Sequence, residues 1–225
     1  MTSPSGRRPG PRPRISREDA AVAALELGFR DLTLTAVADR LGVNHSSLYR
    51  HIRGREDLVL AAIDLAVARV EWPVAGEDWR GYLTDVAEAI WRLFETNPGL
   101  AEEVRVLAVS PPAVTEVFFA VVTELVRLGF TGEDAVLAMD TVADLAADSY
   151  RGWDRLTQVR HTPDGPTSVR DTMREAWGVD RTDRASAPFA RIMTAIIDGS
   201  AHDWWRRKLD LVLEGLAARA PSAGG

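Results

Sequence analysis

Apolar residues recur at helical spacing along most of the chain, and this pattern predicts an all-α protein. The first helix is predicted over 17–27, with Ser16 as its N-cap. A second short helix begins after Thr33 and ends at Gly42, and a third is predicted over 45–52. Three short helices in succession are typical of a small helical module.

Longer helical patterns follow this module. A connector helix is predicted from Arg55 or Glu56 to Val70, and Trp72-Pro73 ends it. Further helices are predicted over 78–95, 100–109, 112–128, 132–158, 187–198 and 202–218, with a weaker one over 172–177. Residues 160–171 are predicted to form a loop, and no segment alternates at the period of a strand.

Composition narrows the class of protein. The chain has 225 residues and no cysteine, which excludes disulfides, thiolate zinc sites and thiol nucleophiles. No apolar run approaches the roughly 20 residues that a membrane-spanning helix needs. Residues 1–14 are mostly Pro, Gly, Ser and Arg, so they are predicted to form a disordered basic arm. We expect a cytoplasmic protein that has no membrane partner.

Charge is distributed unevenly along the chain. Residues 1–55 contain ten Arg and five acidic residues, whereas residues 56–225 contain seventeen basic and twenty-eight acidic residues. The net charges are therefore +5 and −11. Such asymmetry indicates a basic module for a polyanion, attached to an acidic body.

The third helix carries the candidate chemistry. Leu48 and Ile52 lie four residues apart and are predicted to point inward. The outer face is left with His45, Ser46, Ser47, Tyr49, Arg50 and His51. Hydroxyl, phenol, imidazole and guanidinium groups contact phosphates and base edges, so this face favours a DNA-reading helix-turn-helix.

The segment LTLTAVADRLGVNHSSLYRHIRGREDLVLAA closely resembles the DNA-binding signature of the tetracycline-repressor (TetR) family of bacterial transcription regulators. The resemblance implies that Asn44, His45 and Ser46 face bases. It also implies phosphate contacts from Ser47, Tyr49, His51 and Arg55. Thr35 departs from relatives that carry a basic, base-reading residue there, and whether Arg50 compensates stays open.

The resemblance continues more weakly into the body. It implies a helix-turn-helix domain over 15–60 and a helical effector-binding and dimerisation domain over 61–220. Family relatives dimerise through two C-terminal helices, which here would be 132–158 and 202–218. The last helix carries an apolar stripe that is either intramolecular core or a dimer contact, and symmetric operators favour the dimer: Trp205, Leu209, Val212, Leu213 and Leu216.

Large side chains in the middle of the body either line an effector pocket or simply form core. The pocket candidates are Trp91, Phe94, Leu107, Phe118, Met139, Asp144 and Trp153. Asp144 also belongs to a row with Asp140 and Asp148 at a spacing of four, where like charges oppose one another. Water, arginines such as Arg151, Arg206 or Arg207, or a cationic ligand are the alternatives for compensating these charges.

These features predict a DNA-binding regulator rather than an enzyme. A ligand-responsive repressor that binds a palindromic double-stranded operator as a homodimer fits best, with an activator as the alternative. The effector is a small molecule of unknown identity. An enzyme is disfavoured because the chain has no Gly-rich phosphate loop, no nucleophile elbow and no HExxH motif.

No cofactor and no metal is predicted. In an ungapped comparison, tetracycline-binding members have an Asn and a metal-linked His where this chain has Val86 and Arg105. The resemblance therefore does not imply a magnesium–tetracycline inducer. A DNA-packaging protein is also disfavoured, because an acidic body would repel the duplex.

Overall fold

A computed structural model describes residues 15–162, 165–178 and 186–220. The chain begins with three short helices and a connector helix: α1 (Arg17–Leu27), α2 (Leu34–Arg40), α3 (His45–Leu48) and α4 (Arg55–Ala68). The basic arm predicted over 1–14 lies outside the described residues.

The body follows the connector. Its elements are α5 (Trp79–Thr96), α6 (Leu100–Val106), α7 (Pro112–Arg127), α8 (Gly132–Leu156), β1 (Val159–Thr162), β2 (Gly165–Ser168), α9 (Val169–Gly178), α10 (Ala187–Asp198) and α11 (Ala201–Ala217). The predicted fold class, a three-helix N-terminal module joined by a connector helix to a larger helical domain, is confirmed. No helix in the described ranges is long and apolar enough to cross a membrane.

The predicted loop over 160–171 is wrong. Strands β1 and β2 pair there as an antiparallel hairpin, with Val159 opposite Ser168 and His161 opposite Pro166, and α9 begins immediately afterwards. Each strand has four residues, which is too short for an alternating pattern to stand out in the sequence.

Two predicted helices end early. The third helix is regular over His45–Leu48 and continues as a turn to His51, so it is shorter than 45–52. The helix predicted over 100–109 ends at Val106. Leu107, the C-cap, already has an extended backbone with φ −67° and ψ 132°, and Pro111 disfavours helical backbone at Ser110.

Side-chain caps fix where the first two helices begin. Ser16 Oγ accepts a hydrogen bond from the Asp19 amide at 3.0 Å, and the Asp19 carboxylate accepts one from the Ser16 amide at 2.8 Å. Thr33 Oγ1 accepts from the Ala36 amide at 3.1 Å. Thr33 is therefore a helix cap, as the sequence predicts.

The last helix packs against the body through its apolar stripe. Trp205 stacks on Trp91 of α5, with ring centroids 4.6 Å apart, and Leu209, Leu213 and Leu216 are also buried. These four α11 side chains belong to the chain's own core. Packing within the chain therefore favours the intramolecular-core alternative for them, while Val212, the fifth residue of the stripe, is half-buried.

The three-helix module is fastened to the body at several points. The Phe29 amide donates to the Pro98 carbonyl at 3.2 Å, and Arg30 forms an ion pair with Asp154 of α8. Gly99 has φ +90°, and a Cβ there would lie 3.1 Å from the Phe29 side chain. Glycine is therefore required where α6 begins beneath the module.

Candidate nucleic-acid interface and internal cavity

A tight turn sets the angle between α2 and α3. Gly42 adopts φ +64°, its amide donates to the Asp39 carbonyl at 3.1 Å, and the Val43 amide donates to the Ala38 carbonyl at 3.0 Å. The left-handed conformation at Gly42 ends α2 and lets α3 leave in a new direction.

Helix α3 is anchored on one side and open on the other. Leu48 and Ile52 are buried in the core of the module. The opposite face exposes Asn44, His45, Ser46, Tyr49, Arg50 and His51, while Ser47 is half-buried. The structure thus brings together the residues of the third helix to which the sequence assigns DNA contacts.

Asn44 is the N-cap of α3. Its Oδ1 accepts hydrogen bonds from the Ser47 amide at 2.8 Å, from Ser47 Oγ at 2.7 Å and from Ser46 Oγ at 2.9 Å. The side-chain oxygen is therefore fully engaged, and the Nδ2 amide group is what Asn44 offers to a ligand. The two serine hydroxyls are held at the start of the helix.

His45 and Tyr49 form a pair on the exposed face. Their rings meet edge to face with centroids 5.0 Å apart, and Tyr49 is 50% exposed. Tyr49 is therefore not buried against the first helix. The contact holds the imidazole at the N-terminal end of α3, which is the end that enters the major groove in helix-turn-helix proteins.

The arginines near this face divide into paired and unpaired groups. Arg17 pairs with Asp57 at 2.7 Å and Arg40 with Glu26 at 2.5 Å. By contrast, no described residue forms an ion pair or hydrogen bond with the guanidinium of Arg50 or Arg53. Arg53 was not among the residues predicted to contact DNA, and its position beside Gly54, between α3 and α4, is the only sign of it in the sequence.

Arg55 connects the module with the body. Its Nε donates to the Leu32 carbonyl at 3.2 Å, and its two terminal nitrogens bind the Glu103 carboxylate of α6, one of them at 3.1 Å. The bond to Glu103 raises the pKa of Arg55 above its ordinary value. A guanidinium predicted to bind phosphate thus already has an anionic partner.

Thr35, the other residue that the sequence assigns to DNA, is exposed near the start of α2.

The body contains an apolar cavity of about 170 Å³. Helices α4 to α8 all contribute to its walls, together with Trp72 from the segment after α4. Leu100 and Val104 of α6 line it, and Glu103 lies on the same short helix. The cavity and the Arg55 ion pair therefore share α6.

Four of the seven predicted pocket residues line this cavity: Phe94, Phe118, Met139 and Asp144. Trp91 instead stacks on Trp205, and Trp153 lies beneath the Arg170 guanidinium, 5.9 Å from its ring centroid. Leu107 is the half-buried C-cap of α6 and is not part of the wall. Ile63 and Val67 of α4 also line the cavity but were not predicted, because helical spacing does not distinguish a cavity wall from core.

The aspartates in the acidic row of α8 have different surroundings. Asp148 pairs with Arg151 at 2.8 Å, whereas Arg206 pairs with Glu88 and Arg207 lies over Trp204. Burial, with added repulsion from Asp140 and Asp148, raises the pKa of Asp144 above its ordinary value.

Known proteins resemble the chain in sequence. The sequence profile of the bacterial regulatory proteins, tetR family, matches residues 19–62. The tetracycline repressor protein class A from transposon 1721 of Escherichia coli is 30% identical over 193 residues, which cover 78% of this chain and 84% of that repressor. The similarity therefore extends well beyond the helix-turn-helix.

Other relatives match a shorter part of the chain. The HTH-type transcriptional repressor DrrR1 from Streptomyces coeruleorubidus is 27% identical over 147 residues, which cover 60% of this chain. The chain spans 53% to 61% of the length of DrrR1 and four further curated relatives.

Solved structures share the fold. Apo ActR from Streptomyces coelicolor matches with a TM-score of 0.76 at 17% identity, covering 92% of this chain and 99% of that chain. ActR in complex with actinorhodin matches with a TM-score of 0.74 at 18% identity, covering 93% and 99%.

The cap geometry yields a stability prediction. Asn44→Ala should lower the free energy of unfolding by about 1 kcal/mol, because the Ser47 amide loses its acceptor. Asn44→Asp should cost much less, since a carboxylate caps equally well. Urea unfolding followed by circular dichroism, at one protein concentration, measures both. Equal losses in the two variants would show that the cap is not what Asn44 contributes.

Proposed function

Because this chain belongs to the tetR family of bacterial regulatory proteins, we propose that it is a ligand-responsive transcriptional repressor. It binds a palindromic double-stranded operator as a homodimer, and a small-molecule effector releases it. The observation that carries this proposal is the solvent-facing α3, which presents the residues of the family's DNA-binding signature on one face. DrrR1, which resembles this chain, is named a repressor.

The exposed groups on α3 suit the two kinds of DNA contact. His45, at the N-terminal end of the helix, reads bases together with the Asn44 amide and Ser46. Ser47, Tyr49 and His51 bind phosphates, as do the unpaired guanidiniums of Arg50 and Arg53. Thr35 lies at the start of α2, where its hydroxyl serves as an uncharged contact.

A second copy of the chain covers the remaining apolar surface of the C-terminal helices. Phe189 and Ile192 of α10 are 67% and 55% exposed, and Leu211 of α11 is 69% exposed. Leu211 lies on the side of α11 away from the buried stripe, seven residues after Trp204. A two-fold contact through this face places two α3 helices in successive major grooves, roughly 34–36 Å apart.

The effector binds in the internal cavity and acts through α6. Leu100 and Val104 form part of the cavity wall, and Glu103 holds Arg55. A ligand that presses α6 toward Arg55 therefore strengthens the hold of Glu103, which competes with DNA for this guanidinium. Induction requires that the ligand prefer the arrangement that binds DNA poorly. ActR, which shares the fold, has been crystallised with actinorhodin.

Operator binding tests the proposed function directly. The purified protein is titrated against the DNA flanking its own gene, with scrambled DNA as competitor, at two salt concentrations. A saturable, salt-sensitive complex that survives the competitor is expected, because phosphate contacts release counterions while base contacts select the sequence. Equal binding to scrambled DNA would refute a sequence-reading regulator.

His45→Ala should change the preference among operator variants at one or two base positions, with a discrimination loss of about 1–3 kcal/mol at those positions. His51→Ala is the matched control, because loss of a phosphate contact weakens binding to every variant alike. Binding to a panel of single-base operator variants measures both proteins. A uniform loss in His45→Ala would contradict the base-reading role.

Glu103→Gln should raise operator affinity by up to about fivefold, because the Arg55 guanidinium loses the anion that competes with phosphate. Glu102→Gln is the matched control. Glu102 faces Arg155 at 3.1 Å instead of Arg55, so its neutralisation should leave operator affinity almost unchanged. Weaker binding in Glu103→Gln alone would show that the ion pair instead holds Arg55 in its DNA-binding position.

A further inference from the structure

We propose that the effector cavity selects a compact apolar amine, whose ring fills the apolar chamber and whose positively charged nitrogen pairs with the Asp144 carboxylate. This inference rests on the proposed function in placing the effector in this cavity. It adds the chemical class of the ligand, which neither the family nor the relatives define.

The walls of the cavity specify an apolar ligand with one polar end. Every side chain that lines it is apolar or aromatic except Asp144. The indole nitrogen of Trp72, also in the wall, already donates to the Val67 carbonyl at 3.2 Å. A ligand therefore meets hydrocarbon on all sides and a single carboxylate, which fixes its orientation.

Asp144 stands at the opening of the cavity, because it lines the chamber and is also exposed to solvent. Within the described ranges, no side chain donates a hydrogen bond to its carboxylate or forms an ion pair with it. A carboxylate beside an apolar chamber gains most from a cationic hydrogen-bond donor, since such bonds are about twice as strong as neutral ones.

The surroundings of Asp144 select the sign of the ligand charge. Asp140 and Asp148 lie one turn away on either side, and among the described residues a basic partner is found for Asp148 alone, Arg151. Three carboxylates along one face of α8 give the opening a negative potential. An anionic ligand is repelled there, whereas a cation relieves the repulsion along the row.

The volume sets the size of the ligand. A cavity of about 150 Å³ in another protein accommodates benzene, so the 170 Å³ chamber holds one aromatic ring with a short side chain. Larger ligands require that the surrounding helices separate. The chamber wall formed by α6 then moves, and this helix carries the Glu103 partner of Arg55.

Calorimetry with three compounds of matched shape tests the ligand class. The full chain without DNA is titrated with 2-phenylethylamine, 2-phenylethanol and 3-phenylpropionate, which are cationic, neutral and anionic near neutral pH. The amine should bind about tenfold more tightly than the alcohol, as expected for a charged hydrogen bond. The carboxylate should bind more weakly than the alcohol.

Two isosteric variants locate the selectivity. Asp144→Asn should abolish the advantage of the amine and leave binding of the alcohol within about twofold, because the cavity keeps its shape. Asp148→Asn is the matched control, since Asp148 lies outside the cavity wall. It should keep most of the amine preference. Ala147→Leu, which fills the chamber, should weaken binding of both compounds.

The outcomes separate this inference from the proposed function. Equal binding of amine and alcohol, an amine preference that survives in Asp144→Asn, or no binding of any compound would overturn the ligand class. Because the titration contains no DNA, these results do not depend on operator binding. Failure of operator binding alongside an intact, Asp144-dependent amine preference would refute the repressor but not the amine site.

Discussion

The ion pair between Arg55 and Glu103 joins the connector helix to the body. Arg55 stands at the first position of α4 and also binds the Leu32 carbonyl, so one guanidinium contacts the three-helix module, the connector and the body. An arginine provides a planar fork that binds a carboxylate or a phosphate equally well in geometry. The carboxylate that occupies this fork belongs to α6, which also lines the cavity.

Other contacts hold the three-helix module and the body in place around this ion pair. The module is attached to the body by α4, whose Asp64 accepts a hydrogen bond from the Ala113 amide of α7 at 2.8 Å, and by the Arg30 pair with Asp154. The stacked Trp91 and Trp205 fix α5 against α11 without any disulfide. A firmly packed frame of this kind transmits the displacement of one short helix rather than absorbing it.

Periodicity and caps predicted the helices well, because each depends on residues close in sequence. Ser16 and Thr33 illustrate this, since their side chains bond to amides three residues away. The faces of helices were harder to assign. The stripe on α11 was apolar whether it met its own body or a partner, and only the packing of Trp205 decided for the core. The hairpin was missed because its strands are short.

The cavity was also difficult to predict from sequence patterns. Phe94 and Phe118 line it while Trp91 does not, yet all three are large apolar residues at helical spacing, and a void is the outcome of packing between several helices. Asp144 was easier to single out in the sequence because it is a charged residue among apolar neighbours. Its position relative to the chamber could not be predicted. Sequence patterns identify which residues share a helix face, whereas what that face meets, and whether a cavity forms there, depends on the arrangement of five helices.

Helix α6 is shared by the cavity and the Arg55 ion pair, but the effect of a ligand on DNA binding has a thermodynamic limit. An effector shifts the DNA-binding equilibrium only by the difference in its affinity for the two arrangements of the protein. A ligand with equal affinity for both arrangements shifts nothing, however tightly it binds. Asp144 of α8 and Leu100 and Val104 of α6 line the same chamber, so a ligand held at that carboxylate would act on α6 from a fixed point. Under the proposed function, the anchoring charge would therefore bear on induction as well as on recognition.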